Sequence, residues 1–346
     1  METGKLLAKI LAGSWRPTPP PLALSPPEWE AVAPRLLETG AAGLGWWRLR
    51  DCGGRPSRAA VQFRQAYRLH TLLAALQAEQ IGLIFSYCRA VGIEPLLGKG
   101  WTAARLYPDP GLRPPGDIDL FVRLEQHSAA LAVLRSPIVE RCPVDLHQGF
   151  PDLADCNWND LYGRSRLTEL GRLEVRILGP EDHLRHLCLH LLRHGAWRPL
   201  WLCDIGAALE SQPVGFDWDY CLRGGRRQRD AVACAVGLAH HLLDAKTDDV
   251  PVTGRAKRLP RWLLAAVLRQ WESCYTRYTD QRMAAYLRHP AGVLQALGRR
   301  WPNPIEATIS TRGPFNDLPR LPFQLGDVVE RLTKFIVALP RFLRQQ

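Results

Sequence analysis

None of the nine cysteines (Cys52, Cys88, Cys142, Cys156, Cys188, Cys203, Cys221, Cys234 and Cys274) stands in a Cys-x-x-Cys pair. Their odd number and irregular spacing give neither a disulfide framework nor a zinc ribbon, so a reduced, cytoplasmic setting is expected. Long apolar runs are missing too. No stretch reaches the roughly 18 uninterrupted apolar residues of a membrane-spanning helix. Lys9 interrupts the apolar patch of "METGKLLAKILAGSW" and no small-residue cleavage site follows, so no signal peptide is expected. There is no G-x-x-x-x-G-K-[ST] phosphate loop, no HExxH zinc motif and no internal repeat.

What is present is an ordinary globular composition. The 346 residues are 46% hydrophobic and 23% charged, enough chain for two or three packed subdomains. The formal net charge is +11, which favours anionic partners such as nucleotides, nucleic acid or acidic surfaces without choosing among them.

Residues 1–57 read as an N-terminal arm and helix around the Pro-rich "WRPTPPPLALSPPEWE". Ser25-Pro-Pro-Glu28 is a helix start, and the helix should run through Glu38. "CGGRPS" is a loop. A core of residues 58–178 opens with a long helix from Ala59 to Val91, on the helical spacing of Leu69, Leu72, Leu73, Leu76, Leu83, Ile84 and Tyr87. After it come a short buried strand in "IEPLLGKG", a helix Trp101–Tyr107, and the loop "PDPGLRPPG". The strand "DIDLFV", the helix "LEQHSAALAVL", the strand "PVDLHQGF" and the alternation "RLEVRIL" (Arg172–Leu178) follow. Residues 179–346 are mostly helical, with segments near 180–195, 198–211, 226–245 and 259–275. The pattern predicts a small α/β core inside an α-rich protein.

In a strand, residues two apart point the same way, so Asp117, Asp119 and Phe121 share one face and Ile118, Leu120 and Val122 the other. Two unpaired carboxylates on one face repel, and a divalent cation removes the conflict. Asp145 and His147 repeat the pattern in the next strand. Three carboxylates on neighbouring strands fit a two-metal phosphoryl-transfer site binding Mg²⁺ or Mn²⁺. Upstream, Gly98-Lys99-Gly100 joins a strand to a helix, where backbone N–H groups approach phosphate. Lys99 and Arg113 are candidates to neutralise phosphate charge, Arg113 from a loop that reads as a lid. His147 reads as a partner of Asp145, as a base on the acceptor side, or as a satisfied core histidine.

These residues resemble the nucleotidyltransferase (DNA polymerase β-like) superfamily. More narrowly, Lys99, Gly100, Leu106-Tyr107, Arg113, Gly116-Asp117-Ile118-Asp119 and Asp145-Leu146-His147 resemble a family of uncharacterised bacterial nucleotidyltransferases, over about Leu24–Leu209. The resemblance implies a mixed α/β (α+β) sheet flanked by helices, a divalent metal, and a nucleoside triphosphate, ATP first. It implies Asp117, Asp119 and Asp145 as metal ligands, but no acceptor. The superfamily usually carries Gly-Ser in the turn, and Lys99-Gly100 departs from it. The acceptor is expected to be a small molecule, peptide or protein hydroxyl rather than RNA.

Two other readings stay open. A sugar-nucleotide glycosyltransferase also uses DxD with a metal, but needs neither the Gly turn nor the third acidic strand. A non-catalytic nucleotide-binding or scaffold protein is the other. A dehalogenase-type phosphatase is disfavoured, because Phe121 stands where its DxDx[TV] pattern wants Thr or Val.

The remaining signals are weaker. His183, His186, His190 and His194 carry zinc-like i,i+4 spacing, but interleaved leucines favour a helix packed beside the site. Asp204 reads as a helix-pairing carboxylate on an Arg or as a pocket residue. "RGGRRQRD" (Arg223–Asp230) reads as a solvated helix start rather than a nucleic-acid patch. The amphipathic tail Asp327–Gln346 sets Val328, Leu332, Phe335, Ile336 and Leu339 against Arg331, Lys334, Arg341 and Arg344. Its default is docking on the body, ahead of a partner or an anionic membrane surface.

Overall fold

The computed structural model describes residues 2–50, 57–247, 250–251, 256, 258–272 and 301–343, with backbone only from Lys334 on. The loop residues 52–56, the end of the 259–275 segment and the tail side chains from Lys334 on lie outside the described residues. The seven described cysteines are all free. Among the described residues no helix is long and apolar enough to cross a membrane.

Helix α1 (Glu2–Leu11) leads into the Pro-rich segment and α2 (Pro26–Glu38). Glu28 accepts from the Ser25 N–H at 2.8 Å and from its hydroxyl at 2.7 Å, so the chain turns into the helix where the sequence places the cap. The arm is clamped rather than free. Arg16 donates two hydrogen bonds to Glu210, at 2.9 and 2.6 Å, and Trp15 packs over Gly206, where a Cβ would meet the indole at 2.5 Å.

After α3 (Ala42–Leu49), α4 (Arg58–Ala90) is capped by the Ser57 hydroxyl, which accepts from Ala60 N–H at 3.1 Å. Its buried face differs from the one expected. Phe63, Gln77, Ile81, Ile84, Phe85 and Cys88 are buried, whereas Leu69, Leu72, Leu73 and Leu76 face solvent. Periodicity finds an apolar face without saying whether anything covers it.

Among the described residues, five strands form one mixed sheet in the order β3-β2-β1-β5-β4. They are β1 (Leu96–Leu97), β2 (Ile118–Val122), β3 (Val144–Gln148), β4 (Arg166–Leu170) and β5 (Leu173–Ile177). β2 runs parallel to β3 and antiparallel to β1, while β1 runs parallel to β5. β4 was absent from the sequence expectation. It pairs antiparallel with β5 through the two-residue turn Gly171-Arg172, where Gly171 takes φ +60. Ile118, Leu120 and Val122 pack with Ile81, Ile84 and Phe85 of α4 and with Ala130 of α6 (His127–Leu134). Phe121 turns to the opposite side, into the larger core with Phe150 and Leu184.

That second core is helical. It joins α7 (Trp158–Arg164), α8 (Pro180–Arg193), α9 (Pro199–Glu210), α10 (Trp218–Cys221) and α11 (Arg226–Leu243) to α1, α2 and the helix Arg261–Glu272. The helix Leu321–Leu343 docks on Pro304–Ser310 at its N-terminal end, with Ser310 donating to Asp327 at 2.5 Å and Gln324 to the Pro302 carbonyl at 2.7 Å. Leu325, Val329 and Leu332 stay exposed on its far side.

Candidate active site

The β2–β3 register sets the site. Asp119 pairs directly with Asp145 and Phe121 with His147, so the two carboxylates sit on adjacent strands. His147 Nε2 lies 3.2 Å from Asp119 Oδ1 and 3.2 Å from Asp145 Oδ2. Lys99 Nζ lies 3.2 Å from the same Asp119 oxygen. Asp119 is buried, with its side chain 8% exposed, whereas that of Asp145 on the edge strand is 59% exposed. Burial alone would raise the Asp119 carboxyl pKa. The His147 hydrogen bond and the Lys99 charge outweigh it and hold the group below its ordinary value.

Asp119, Asp145 and His147 are the one trio of His, Cys, Asp or Glu among the described residues whose ligand atoms all lie within 4.8 Å of one another. Two carboxylate oxygens and an imidazole nitrogen are donors that suit a divalent cation. Asp117 stands outside this trio. It sits one residue before β2 and is exposed, with its backbone carbonyl against Gly100, where a Cβ would lie 3.3 Å away. Among the described residues the helices' histidines form no such group.

The Gly98-Lys99-Gly100 turn is itself the start of α5 (Lys99–Ala104), two residues earlier than expected. Gly98 is the cap. Its N–H donates to the Asp119 carbonyl at 2.8 Å, and its own carbonyl accepts from the Thr102 hydroxyl at 2.7 Å. A Cβ at Gly98 would fall 2.3 Å from the Phe121 ring and 2.9 Å from Asp119 Cβ, so only glycine lets the turn press this close to β2. The close approach is what brings Lys99 onto Asp119.

Arg113 is placed differently from the expectation. Its Nε and Nη2 donate to Asp204 Oδ1 and Oδ2 at 2.8 and 2.9 Å, and Tyr107 donates to Asp204 Oδ1 at 2.8 Å. All three residues are buried. A guanidinium held in a two-pronged pair meets phosphate only if that pair opens. The loop carrying it is a packed strap and not a free lid. Gln77 of α4 donates to the Gly116 carbonyl at 2.7 Å, and His70 Nδ1 lies 3.2 Å from the Gly111 carbonyl. Asp204 thus takes the Arg-paired structural role of the two foreseen for it, with its arginine on the strap rather than on a second helix. Residues 91 apart in sequence carry no local signal that they meet.

The histidine helix α8 packs beside the site. His183 Nε2 lies 3.2 Å from Thr102 Oγ1, and the His186 ring stands edge-on to Phe121 and Phe150. Asp152 sits beneath, 2.7 Å from Arg193 and 3.4 Å from His186. Burial pushes His186 down to about 3 and His183 down to about 4. Both are therefore neutral in the fold and take up protons on unfolding. A histidine with a depressed folded pKa gives stability that is present above its unfolded value and is lost as pH falls toward its folded one. Stability should fall below about pH 6.5, each group adding about 1.4 kcal/mol per pH unit. Urea midpoints between pH 7.5 and 4.5 measure this slope. His186→Gln should lower it by about one proton, and an unchanged slope contradicts the assignment.

A family model described as an uncharacterised nucleotidyltransferase matches residues 25–137 and 139–244. The match runs past Leu209 and takes in α11. No curated protein and no solved structure matches the chain. The matched span carries the Gly98–Gly100 turn, the Asp119–Asp145–His147 trio and the Arg113–Asp204 pair, and the chain belongs to this family of uncharacterised nucleotidyltransferases.

Proposed function

We propose that the protein transfers a nucleoside monophosphate from a nucleoside triphosphate, ATP first, to a hydroxyl acceptor and releases pyrophosphate. The observation that carries this reading is Asp119 and Asp145 side by side on parallel strands, with Lys99 at the same oxygen as His147. When bound, a divalent cation, Mg²⁺ or Mn²⁺, would supply charge neutralisation on the triphosphate and activation of the acceptor oxygen. Asp119 and Asp145 would hold it, while Asp117, exposed and outside the trio, stands at the strand start. Lys99 and the Gly98–Gly100 backbone hold phosphate oxygens, which requires Lys99 to swing from Asp119 onto the triphosphate. Asp145 is the solvent-facing carboxylate, and it takes the proton of the attacking hydroxyl. The acceptor oxygen bonds to the α-phosphorus, the bond to the β-phosphate bridge breaks, and the electron pair leaves on pyrophosphate. Positioning and charge stabilisation supply most of the rate. The acceptor is a small molecule, a peptide or a protein.

Thermal shifts separate this from a DxD glycosyltransferase. With Mg²⁺ or Mn²⁺ present, ATP or another nucleoside triphosphate should raise the melting temperature, and UDP-sugars should not. A shift with UDP-sugars alone contradicts the proposal.

A further inference from the structure

We propose that His147 Nε2 is itself a metal ligand and that, through it, the site prefers Mn²⁺ and related transition cations to Mg²⁺. The inference rests on the metal-dependent reading above and goes beyond it to the identity of the ion.

The first argument is geometric. One nitrogen, Nε2, stands 3.2 Å from a carboxylate oxygen on each of two strands. A single Nε2–H points along one line, so it serves one of those acceptors well and the other poorly. A cation among the three atoms takes a lone pair from each of them. The ring is also held in place. It stacks on Phe121 with centroids 4.6 Å apart and planes 17° apart, and Phe121 stacks in turn on Phe150 at 3.9 Å. Phe121 is 1% exposed. The β2–β3 register puts His147 over that ring, so the sheet itself aims Nε2 at the carboxylates.

The second argument is the donor count. Asp119 Oδ1 is shared with the Lys99 ammonium at 3.2 Å, which lowers its value to a cation, and Asp117 lies outside the trio. What remains is one open carboxylate, one shared carboxylate and one imidazole. Mg²⁺ wants an all-oxygen octahedron and gives up its waters reluctantly. An imidazole strengthens binding of first-row transition cations far more than of Mg²⁺.

Metal binding tests this without any turnover. Metal-free protein is titrated with Mn²⁺ and with Mg²⁺ by calorimetry, and bound Mn²⁺ is examined by pulsed EPR in protein carrying ¹⁵N-histidine. Mn²⁺ should bind at least about tenfold more tightly than Mg²⁺, and His147→Ala should remove most of that preference while changing Mg²⁺ binding little. The wild-type spectrum should show a histidine nitrogen coupled to the ion, a signature that needs no variant to fold. A Mn²⁺/Mg²⁺ ratio unchanged by His147→Ala, or no nitrogen coupling, overturns the inference. If Asp119→Asn and Asp145→Asn abolish binding of both ions while that ratio holds, the transferase reading survives and only the role of His147 falls. No binding of either ion by the wild-type protein overturns both.

Discussion

Asp119→Asn should lower transfer from α-labelled ATP by about a thousandfold or more while the protein stays folded. The side chain is 8% exposed and its Oδ1 is met by both His147 and Lys99. Asn keeps the shape and removes the charge. It leaves a nitrogen where an oxygen faced two cationic or donor groups, or an oxygen with no charge to attract an ion. The fold should tolerate this, because Lys99 is 23% exposed and can turn to water. Asp117→Asn tests the division of labour along the same Asp-Ile-Asp run. Asp117 is exposed and outside the trio, so its loss should have the smaller effect. Rates of label incorporation, with near-ultraviolet circular dichroism to report packing, decide the matter. An Asp119→Asn rate near the wild-type value removes the catalytic assignment.

The second large effect concerns stability. Asp204→Ala should cost about 3–5 kcal/mol, because it leaves a buried guanidinium with no counter-charge. Asp204 has 0% and Arg113 7% side-chain exposure, and the Tyr107 hydroxyl loses its acceptor in the same step. Replacing the pair together, as Arg113→Met with Asp204→Val, should recover part of the loss, since neither apolar side chain needs a counter-charge and only the Tyr107 hydroxyl is left without its acceptor. The strap that Arg113 anchors leads straight into Asp117 and β2, so activity should fall in Asp204→Ala even at temperatures where it is folded. Urea unfolding of the two single variants and the double variant gives the coupling. A loss below about 1 kcal/mol in Asp204→Ala shows the pair to be no anchor.

Elements whose cause is local were legible in the sequence. The Ser25–Glu28 cap, the α4 span, and strands β2 and β3 all follow from residues within a few positions of one another. The split of β2 into an apolar face on α4 and a polar face at the site follows from strand alternation alone. What escaped was set by distant partners. β4 reads "RLTEL", a half-exposed strand whose apolar alternation is too weak to stand out, and only its hairpin with β5 makes it a strand. The stripe Leu69, Leu72, Leu73 and Leu76 looks like core by period, yet the sheet is reached by the other end of α4. The same limit applies at the site. Asp119, Asp145, Lys99 and His147 were named from spacing. The sharing of one Asp119 oxygen by Lys99 and His147 came from the parallel register and from the glycine cap of α5.

The central claim is that the α-phosphoryl group, with its nucleoside, is what moves. Cell extract incubated with the protein and a divalent cation receives ATP labelled in parallel at the α- and at the γ-phosphate. The account predicts α-label in a macromolecule or small molecule carrying an added nucleoside monophosphate, with the γ-label recovered in pyrophosphate. Protein-dependent passage of label from the γ-position to the product, or no protein-dependent α-label in any product, contradicts it.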